Sequence, residues 1–351
     1  MKDPFENITN RIRSFIDGGQ DDFDDLAQAL FALQYEHVIP YRNFCESRSI
    51  TPGSSKVIPA IPSTAFRDYE VTSLDTDDRS ATFHSSGTTT QTPSRNYHNH
   101  ASLKLYEHSL TTTYSKNLTA TPRTLSLTPA PASAPHSSLV HMLRAVQVNP
   151  IFTGASTPTG WKVDTATTLK EIQASDAPIT IMGTAFSFVH LCDEITPISL
   201  PPGSQVMETG GYKGQSRELG MADLHALITE KLGILPSQIV REYGMCELSS
   251  QAYATRDGHF RFPHWAKTRI VSPETGREVA SGQTGILEVI DLASTRSVLA
   301  IRTGDLAIRH SEDFELLGRA ASSDPRGCSL NATDLDSSRA REARSPHHGP
   351  A

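Results

Sequence analysis

Residues 81–95 read ATFHSSGTTTQTPSR, a short β-like run followed by a loop of glycine and hydroxyl side chains. Such a loop can offer several backbone N–H groups and hydroxyls to phosphate oxygens. Arg95, which closes the segment, can add a bidentate positive group. The Gly-Lys-Ser/Thr ending of the P-loop of nucleoside triphosphatases is missing. Taken alone, the segment is explained equally well as a phosphate loop or as an ordinary surface loop.

Strand-like and helix-like runs alternate on both sides of this loop. The strand-like runs are 81–84, 124–127, 179–182 and 285–290, and the helix-like runs include 103–114 and 221–232. Strands that alternate with helices predict α/β layering.

The composition excludes several classes of protein. The chain has 351 residues, 37% of them hydrophobic, so it is long enough for a sizeable core and is neither membrane-like nor disordered as a whole. A net charge of −7 argues against nucleic acid as the main partner. The four cysteines form no Cys-x-x-Cys pair, which fits a reducing compartment. The first residues lack the apolar core of a signal peptide, and the longest apolar stretch, around 179–192, is too short to span a bilayer. We therefore expect a cytoplasmic protein with no membrane span.

A second polar segment, EYGMCEL at 242–248, follows the apolar pair Ile239 and Val240. At the end of a strand, Tyr243 can stack on a purine and Glu247 can supply a hard oxygen ligand for magnesium. A Tyr-Gly turn followed by a solvated glutamate is the simpler alternative, and for this segment alone it is favoured.

Two more segments carry groups that suit a nucleotide. In RTGDL at 302–306, Asp305 can accept both hydroxyls of a ribose, and Arg319 can reach the same ribose or a phosphate. In the segment 208–219, the glycines permit close approach to a flat ring, and Lys213 adds positive charge. A strand-ending turn and a flexible loop remain the alternatives for these segments.

The order of the four segments is more specific than any one of them. It resembles the adenylate-forming superfamily of acyl-CoA synthetases and related ligases, and most closely the acyl-protein synthetase (LuxE-like) family. That family includes the fatty-acid-activating component of bacterial bioluminescence. The resemblance covers roughly residues 31–330 and is carried by the stretches 83–89, 105–110, 183–186, 208–219, 243–251 and 326–330.

The resemblance implies a fold and a division of the chain. The fold is α/β, an adenylate-forming (acyl-CoA synthetase-like) N-terminal core with mixed sheets flanked by helices, and with a C-terminal lid domain truncated or absent. We expect an N-terminal helical segment and connector at 1–60, the core at 61–320, and a short C-terminal segment with a disordered tail at 321–351. Met182, Phe186, Phe188 and Leu191 are candidates for an apolar acyl pocket, although core packing explains them equally well.

The resemblance also implies roles in binding ATP and Mg2+. The residues that would hold ATP are Ser85, Ser86, Gly87, Thr88 and Thr89 at the phosphates, Gly210, Gly211, Tyr243 and Gly244 at the adenine, and Asp305 and Arg319 at the ribose. Glu247 would hold magnesium. Lys213 and Arg95 are the candidates for the cation that assists adenylation, because no lysine follows Arg319.

Members of the resembled family pass the acyl group to a cysteine near the C-terminus, and the matching residue is Cys328. Arg326 lies two residues away, and positive neighbours lower a thiol pKa and so favour the nucleophilic thiolate. The implied activity is ATP-dependent activation of a carboxylic acid, of the fatty type, followed by a thioester on Cys328. The implied partner is an acyl-accepting protein such as a reductase or a carrier protein.

Two departures from the family pattern keep other functions open. Cys246 stands where a threonine is usual, and Thr90 stands where a small residue, commonly glycine, is usual. One alternative is an AMP-forming ligase that delivers the acyl group to coenzyme A or a carrier protein. The other is a non-catalytic partner with the same fold.

Overall fold

The computed structural model describes residues 3–85, 92–157, 160–210, 219–254 and 258–320, and every structural statement below concerns these residues.

The described residues form nine α-helices and sixteen strands. The helices are α1 (Glu6–Ile16), α2 (Phe23–His37), α3 (Ile39–Glu46), α4 (Ala65–Asp68), α5 (His100–Asn117), α6 (Ser138–Ala145), α7 (Thr165–Gln173), α8 (Ala185–Glu194) and α9 (Met221–Leu232). The strands of the first half are β1 (Ile61–Pro62), β2 (Ala81–His84), β3 (Arg95–His98), β4 (Arg123–Ser126), β5 (Ile151–Phe152), β6 (Gly154–Thr157), β7 (Gly160–Val163) and β8 (Ile179–Thr184). Those of the second half are β9 (Gln205–Thr209), β10 (Ile239–Tyr243), β11 (Ala252–Ala254), β12 (Phe260–Arg261), β13 (Ala266–Val271), β14 (Thr284–Asp291), β15 (Ala300–His310) and β16 (Asp313–Arg319).

One large mixed sheet organises the described part of the chain. Its strand order is β13-β14-β15-β16-β12-β11-β10-β9-β8-β4-β5, and β1 pairs in parallel with β15. The strands from β5 to β10 are parallel, whereas those from β10 to β13 are antiparallel. The α/β layering predicted from the alternation of elements is therefore confirmed, with α8 and α9 as the crossovers β8–β9 and β9–β10.

The predicted strand and helix runs are also confirmed. The strand-like runs lie on β2, β4, β8 and β14, and the helix-like runs lie on α5 and α9. The strand β8 shows why an apolar run predicts a strand here. All six of its residues are buried, as expected for a parallel strand covered on both faces. The helix α9 ends at Gly233, which has a φ of 65° and where a Cβ would lie 2.9 Å from the Ile198 carbonyl oxygen. Both features require glycine at this position.

Helices cover both faces of the parallel half. On one face, α8 and α9 pack against Ile181 and Val206, and on the other face α5 and α6 pack against Met182 and Met207. A third apolar cluster joins α1, α2 and α3 to the antiparallel strands β13–β16. The N-terminal helices therefore belong to the same core as the strands of the second half, and the three-part division of the chain stays a prediction.

The four candidates for an acyl pocket do not lie together in one apolar cluster. Met182 lies in the cluster under α5 and α6, whereas Phe188 and Leu191 lie in the cluster on the opposite face of the sheet. All four side chains are buried, so core packing explains Met182, Phe188 and Leu191.

A buried carboxylate joins the two halves of the sheet. Asp291, at the end of β14, accepts hydrogen bonds from the Ser249 N–H (2.8 Å) and the Ser250 hydroxyl (2.7 Å). The Ala293 N–H (3.0 Å) and the Ser294 hydroxyl (3.3 Å) donate to it as well. Burial raises the pKa of Asp291 even though these four donors lower it. The carboxyl group thus fixes the chain that follows β10 against β14.

Replacing Asp291 with alanine should destabilise the protein by about 4 kcal/mol, because four buried donors lose their acceptor and each loss costs about 1 kcal/mol. Urea unfolding followed by tryptophan fluorescence measures the change. The exposed Asp223, in the first turn of α9, is the control, and its alanine variant should lose less than about 1 kcal/mol. Equal losses in the two variants would contradict the central role of Asp291.

Candidate active site

The carboxyl ends of three parallel strands bring polar side chains to one edge. In the register of the sheet, Thr184 on β8 is level with Thr209 on β9, and Thr209 is level with Glu242 on β10. All three side chains are buried. Ligands of open α/β sheets bind outside the carboxyl ends of the strands, so this edge is where a site is expected.

Glu242 is the most unusual group at this edge. Its carboxylate accepts a short hydrogen bond from the Thr209 hydroxyl. Burial raises the pKa of Glu242 to about 7, although the Thr209 hydrogen bond pulls it down and the Glu208 carboxylate adds to the rise. Gly244 leaves space beside it, because a Cβ at that position would lie 2.6 Å from Glu242 Oε1 and the carboxyl group would have to shift. The Gly of the Tyr-Gly pair therefore makes room for a buried carboxyl group.

The strands β2 and β3 pair antiparallel outside the main sheet. The Ser94 N–H donates to the Ser85 hydroxyl (2.9 Å), so the chain just after β2 is held against the chain just before β3. The Asn96 amide donates to the Cys246 carbonyl oxygen (2.8 Å), and the Ser94 hydroxyl lies close enough to the Glu247 carboxylate to lower its pKa. The structure therefore brings the first and second predicted segments together.

Glu247 is buried, with 4% of its surface exposed. Burial raises the pKa of Glu247, and the Ser94 hydroxyl, the backbone N–H of Glu247 and the Arg319 charge oppose that rise. A carboxyl group in this setting gains from a cation, because a bound cation favours the ionised form that burial disfavours. Its oxygen donor and that of Ser94 fit the preference of Mg2+ for hard oxygen ligands.

The second and third segments meet through Tyr243. Its hydroxyl donates to Asp305 Oδ2 (2.8 Å), and Arg319 Nε lies 3.5 Å from Asp305 Oδ1. The Tyr243 ring packs edge-on against Phe262 and Phe314. Asp305 and Arg319 are register partners on β15 and β16, which explains their approach. Tyr243, Asp305 and Arg319 thus form one cluster, and the roles of Tyr243 at adenine and Asp305 at ribose stay predictions.

Arg95 lies in the hairpin but faces away from Glu247. Alternate side chains of a strand point to opposite faces, so Arg95 and Asn96 lie on opposite sides of β3. Within the described residues, Arg95 Nε is buried and lacks a hydrogen-bond partner. A role for Arg95 in adenylation therefore stays a prediction. It would require the guanidinium group to extend to the face of β3 on which Asn96 lies.

Several predicted site residues lie outside the described residues. They are Ser86, Gly87, Thr88, Thr89, Gly211, Lys213 and Cys328. Gly210, which directly follows β9, is described: its φ is +67°, and a Cβ there would meet no atom of the described part of the chain within 4 Å. A ligand can approach the backbone closely there.

Sequence reasoning assigned no role to three residues that the structure places in the site, Glu242, Asn96 and Ser94. A signal existed for Glu242, since in a strand it lies on the same face as Val240, two residues earlier. No local signal could have found Asn96, because its partner Cys246 is 150 residues away.

Comparison with known proteins places the chain in a family. A family model described as "Acyl-protein synthetase, LuxE" matches residues 22–335. The chain belongs to this family. The predicted family is therefore confirmed.

A curated relative of this family member is the long-chain-fatty-acid–luciferin-component ligase of Aliivibrio fischeri. The two are 26% identical over an alignment of 192 residues, and the match covers 50% of this chain and 51% of the relative. The match thus spans about half the length of that relative.

Solved structures with similar folds include a 2-hydroxyisobutyryl-CoA ligase in complex with 2-HIB-AMP and CoA. In its thioesterification state the TM-score is 0.61 at 16% identity, with 90% of this chain and 68% of that chain covered. The luciferase-like enzyme from the mealworm Zophobas morio gives a TM-score of 0.51 at 15% identity, with 71% and 60% covered. The likeness confirms the predicted fold class, an adenylate-forming core with a mixed sheet flanked by helices.

Among the described residues, no helix combines the length and the apolar character that crossing a membrane requires.

Replacing Glu242 with glutamine should make stability less dependent on pH. The folded-state pKa of about 7 lies above the unfolded value near 4.5, so the folded wild type loses stability as the pH rises from about 4.5 to about 7. At about pH 8 the variant should be more stable than the wild type by up to about 3 kcal/mol, and at about pH 4, below the unfolded pKa, the two should be equal. Urea unfolding at both pH values measures the difference.

The control for this experiment is Glu288→Gln. Glu288 is also buried, but it bonds to Arg269 (2.8 Å) and Arg302 (2.7 Å), so its loss should destabilise the protein at both pH values. A Glu242→Gln variant that behaves like Glu288→Gln would show that Glu242 is ionised and paired in the folded state.

Proposed function

We propose that this chain uses ATP to activate a carboxylic acid of the fatty type as its acyl-adenylate, and then passes the acyl group to Cys328 as a thioester. The observation that carries the proposal is the meeting of three distant segments at the carboxyl edge of the parallel strands. Ser94 meets Glu247 there, and Tyr243 meets Asp305 and Arg319. Membership of the acyl-protein synthetase family supports the same activity.

In the first half-reaction, a carboxylate oxygen of the acid attacks the α-phosphorus of ATP. The bond from that phosphorus to the bridging oxygen breaks, and pyrophosphate leaves with the electron pair. The product is a mixed anhydride of the acid and AMP. Two anions must meet in this step, so charge neutralisation and positioning carry the catalysis.

The residues of the site have separate tasks in this proposal. Asp305, held by the Tyr243 hydroxyl, accepts the ribose hydroxyls, and Arg319 adds positive charge beside it. The loop of Ser85, Ser86, Gly87, Thr88 and Thr89 binds the phosphates. Ser94, at the end of this segment, approaches Glu247, and the neighbouring Asn96 bonds to the Cys246 carbonyl oxygen, so the segment and the carboxylate lie side by side. Glu247 would hold Mg2+, which supplies the charge that draws the phosphates of ATP to the site.

In the second half-reaction, the Cys328 thiolate attacks the acyl carbonyl carbon. The carbon–oxygen bond to AMP breaks, AMP leaves, and a thioester forms. Arg326 and Arg319 are the sequence neighbours that would favour the thiolate. A thioester keeps the acyl group activated for an acceptor protein, either a reductase or a carrier protein.

The relative from Aliivibrio fischeri is named as a ligase of long-chain fatty acid with a luciferin component, which supports a fatty acid as substrate. The ligase structures that share the fold contain CoA, which supports delivery to coenzyme A as a second candidate function. The two candidates share the first half-reaction and differ in the acceptor.

Replacing Glu247 with glutamine should reduce acid-dependent, magnesium-dependent exchange of pyrophosphate into ATP by about 100-fold, because the amide cannot serve as an anionic ligand. Glutamine keeps the size of the side chain and can still accept from Ser94. Glu278→Gln is the matched control, since Glu278 is exposed and pairs with Arg309 far from the strand ends. Unchanged exchange in Glu247→Gln would remove Glu247 from the reaction.

Incubation with ATP, Mg2+ and a panel of labelled carboxylic acids should give a covalent acyl adduct visible by intact mass and removed by hydroxylamine. Cys328→Ser should abolish the adduct and leave pyrophosphate exchange unchanged. Cys45→Ala is the control and should keep the adduct, because burial raises the pKa of Cys45 to about 12 and so prevents it from acting as a nucleophile.

Other outcomes separate the alternatives. Acid-dependent release of pyrophosphate that needs coenzyme A, with no adduct, would identify the CoA ligase. Neither exchange nor adduct with any acid would identify a non-catalytic partner.

A further inference from the structure

Three metal-donor side chains converge on one face of the antiparallel half of the sheet. They are His259, next to β12, His310 at the end of β15, and Glu315 on β16. One donor atom from each lies within 4.8 Å of the other two. None of them belongs to the proposed ATP site.

The register of the strands explains why the three side chains share a face. Phe260 is level with Phe314, so His259 comes level with Glu315, its neighbour on the other strand. His310 is level with Asp313, which lies two residues before Glu315 and so on the same face. The strands β12 and β15 lie on either side of β16 and both pair with it. The imidazoles of His259 and His310 project over β16.

The imidazole rings meet above the central strand. The ring centroids of His259 and His310 are 4.1 Å apart and the planes differ by 11°. Glu315 Oε2 lies 3.5 Å from His310 Nε2. The three side chains are half-buried, so they are held by the sheet and are still open to an ion from solvent.

His310 Nε2 is buried, and among the described residues it makes no hydrogen bond. Glu315 Oε2, at 3.5 Å, is within ion-pair distance of it, but the two atoms do not form a hydrogen bond. A metal ion bound between them would give both atoms a direct partner.

We propose that His259, His310 and Glu315 bind a divalent transition-metal ion of the zinc class, with water as a fourth ligand. Two imidazole nitrogens and one carboxylate oxygen suit Zn2+, Co2+ or Ni2+, whereas Mg2+ prefers oxygen ligands alone. Ligands about 2.1 Å from a tetrahedral zinc lie about 3.4 Å apart. The donors therefore have to close by little more than about 1 Å, and the two stacked rings have to turn so that a nitrogen lone pair of each points at the ion. Side-chain rotation on fixed strands would supply both movements.

The bound ion would cross-link β12, β16 and β15 at the end of the hairpin opposite to Asp305 and Arg319. The ion would therefore stabilise the β15–β16 hairpin, which carries Asp305 and Arg319. Binding of the ion would not require ATP. This proposal does not rest on the proposed function.

The test is a titration of the full chain with Co2+ in the absence of ATP and Mg2+, after removal of metals with a chelator. The expected result is one equivalent of bound Co2+ with the visible absorption of a tetrahedral site, displaced by Zn2+. Excess Zn2+ should also raise the Tm by about 3 °C or more, because the ion binds only the folded state.

His310→Ala and His259→Ala should each remove the absorption band, and Glu315→Gln should weaken binding at least about tenfold. The matched control is His190→Ala. His190 also lies 3.5 Å from a glutamate, Glu194, and its exposure is 32% against 34% for His310, but no second imidazole completes a cluster there among the described residues.

The outcomes are distinguishable. Binding that is lost in the variants of His259 and His310 and kept in His190→Ala supports the site. Binding that persists in His310→Ala, or that falls equally in His190→Ala, overturns it, as does the absence of any Co2+ binding by the wild type. Circular dichroism and the Tm of each metal-free variant show whether it is folded, and Glu315→Gln keeps the test decisive if a histidine variant unfolds.

Discussion

The arrangement of the site depends on the buried carboxyl group of Asp291. It is fully buried and receives four hydrogen bonds, two of them from Ser249 and Ser250. Ser250 also accepts from the Trp265 indole N–H (3.0 Å), and the hydroxyl of Ser109 on α5 lies 3.0 Å from it. One carboxyl group therefore ties the chain after β10 to α5 and to the antiparallel strands. Tyr243 and Glu247 lie just upstream of this hydrogen-bonded cluster. The cluster therefore sets their distance from Asp305.

Much of the fold and part of the site follow from the sequence, for reasons that differ between residues. Local propensity and apolar runs are enough to find α9 and β2, since neither depends on distant contacts for its type. Tyr243 and Glu247 could be proposed from their place after an apolar run. The bond from Tyr243 to Asp305 joins residues 62 apart, and no local pattern encodes it. The family resemblance depends on the order of several segments. It predicted that Tyr243 and Asp305 belong to one nucleotide site, which local patterns could not do.

The orientation of side chains on the β2–β3 hairpin was also beyond sequence reasoning. Arg95 and Asn96 are neighbours, and the charged one was the natural candidate for the site. The structure turns the neutral amide of Asn96 toward Cys246 and turns Arg95 to the other face. Which face of an isolated hairpin meets the sheet is decided by packing, and composition does not predict it.

The N-terminal helices are synthesised long before the strands on which they pack. The side chain of Gln34 on α2 donates to the Ser294 carbonyl oxygen (2.7 Å) and accepts from the Leu299 N–H (2.9 Å), across about 260 residues of chain. A ribosome that adds roughly 5–20 residues per second needs roughly 10–50 s to make that stretch. During this time the apolar faces of α1, α2 and α3 have no strands to pack on. Such a nascent chain is expected to depend on chaperones that shield these helices until the antiparallel strands emerge.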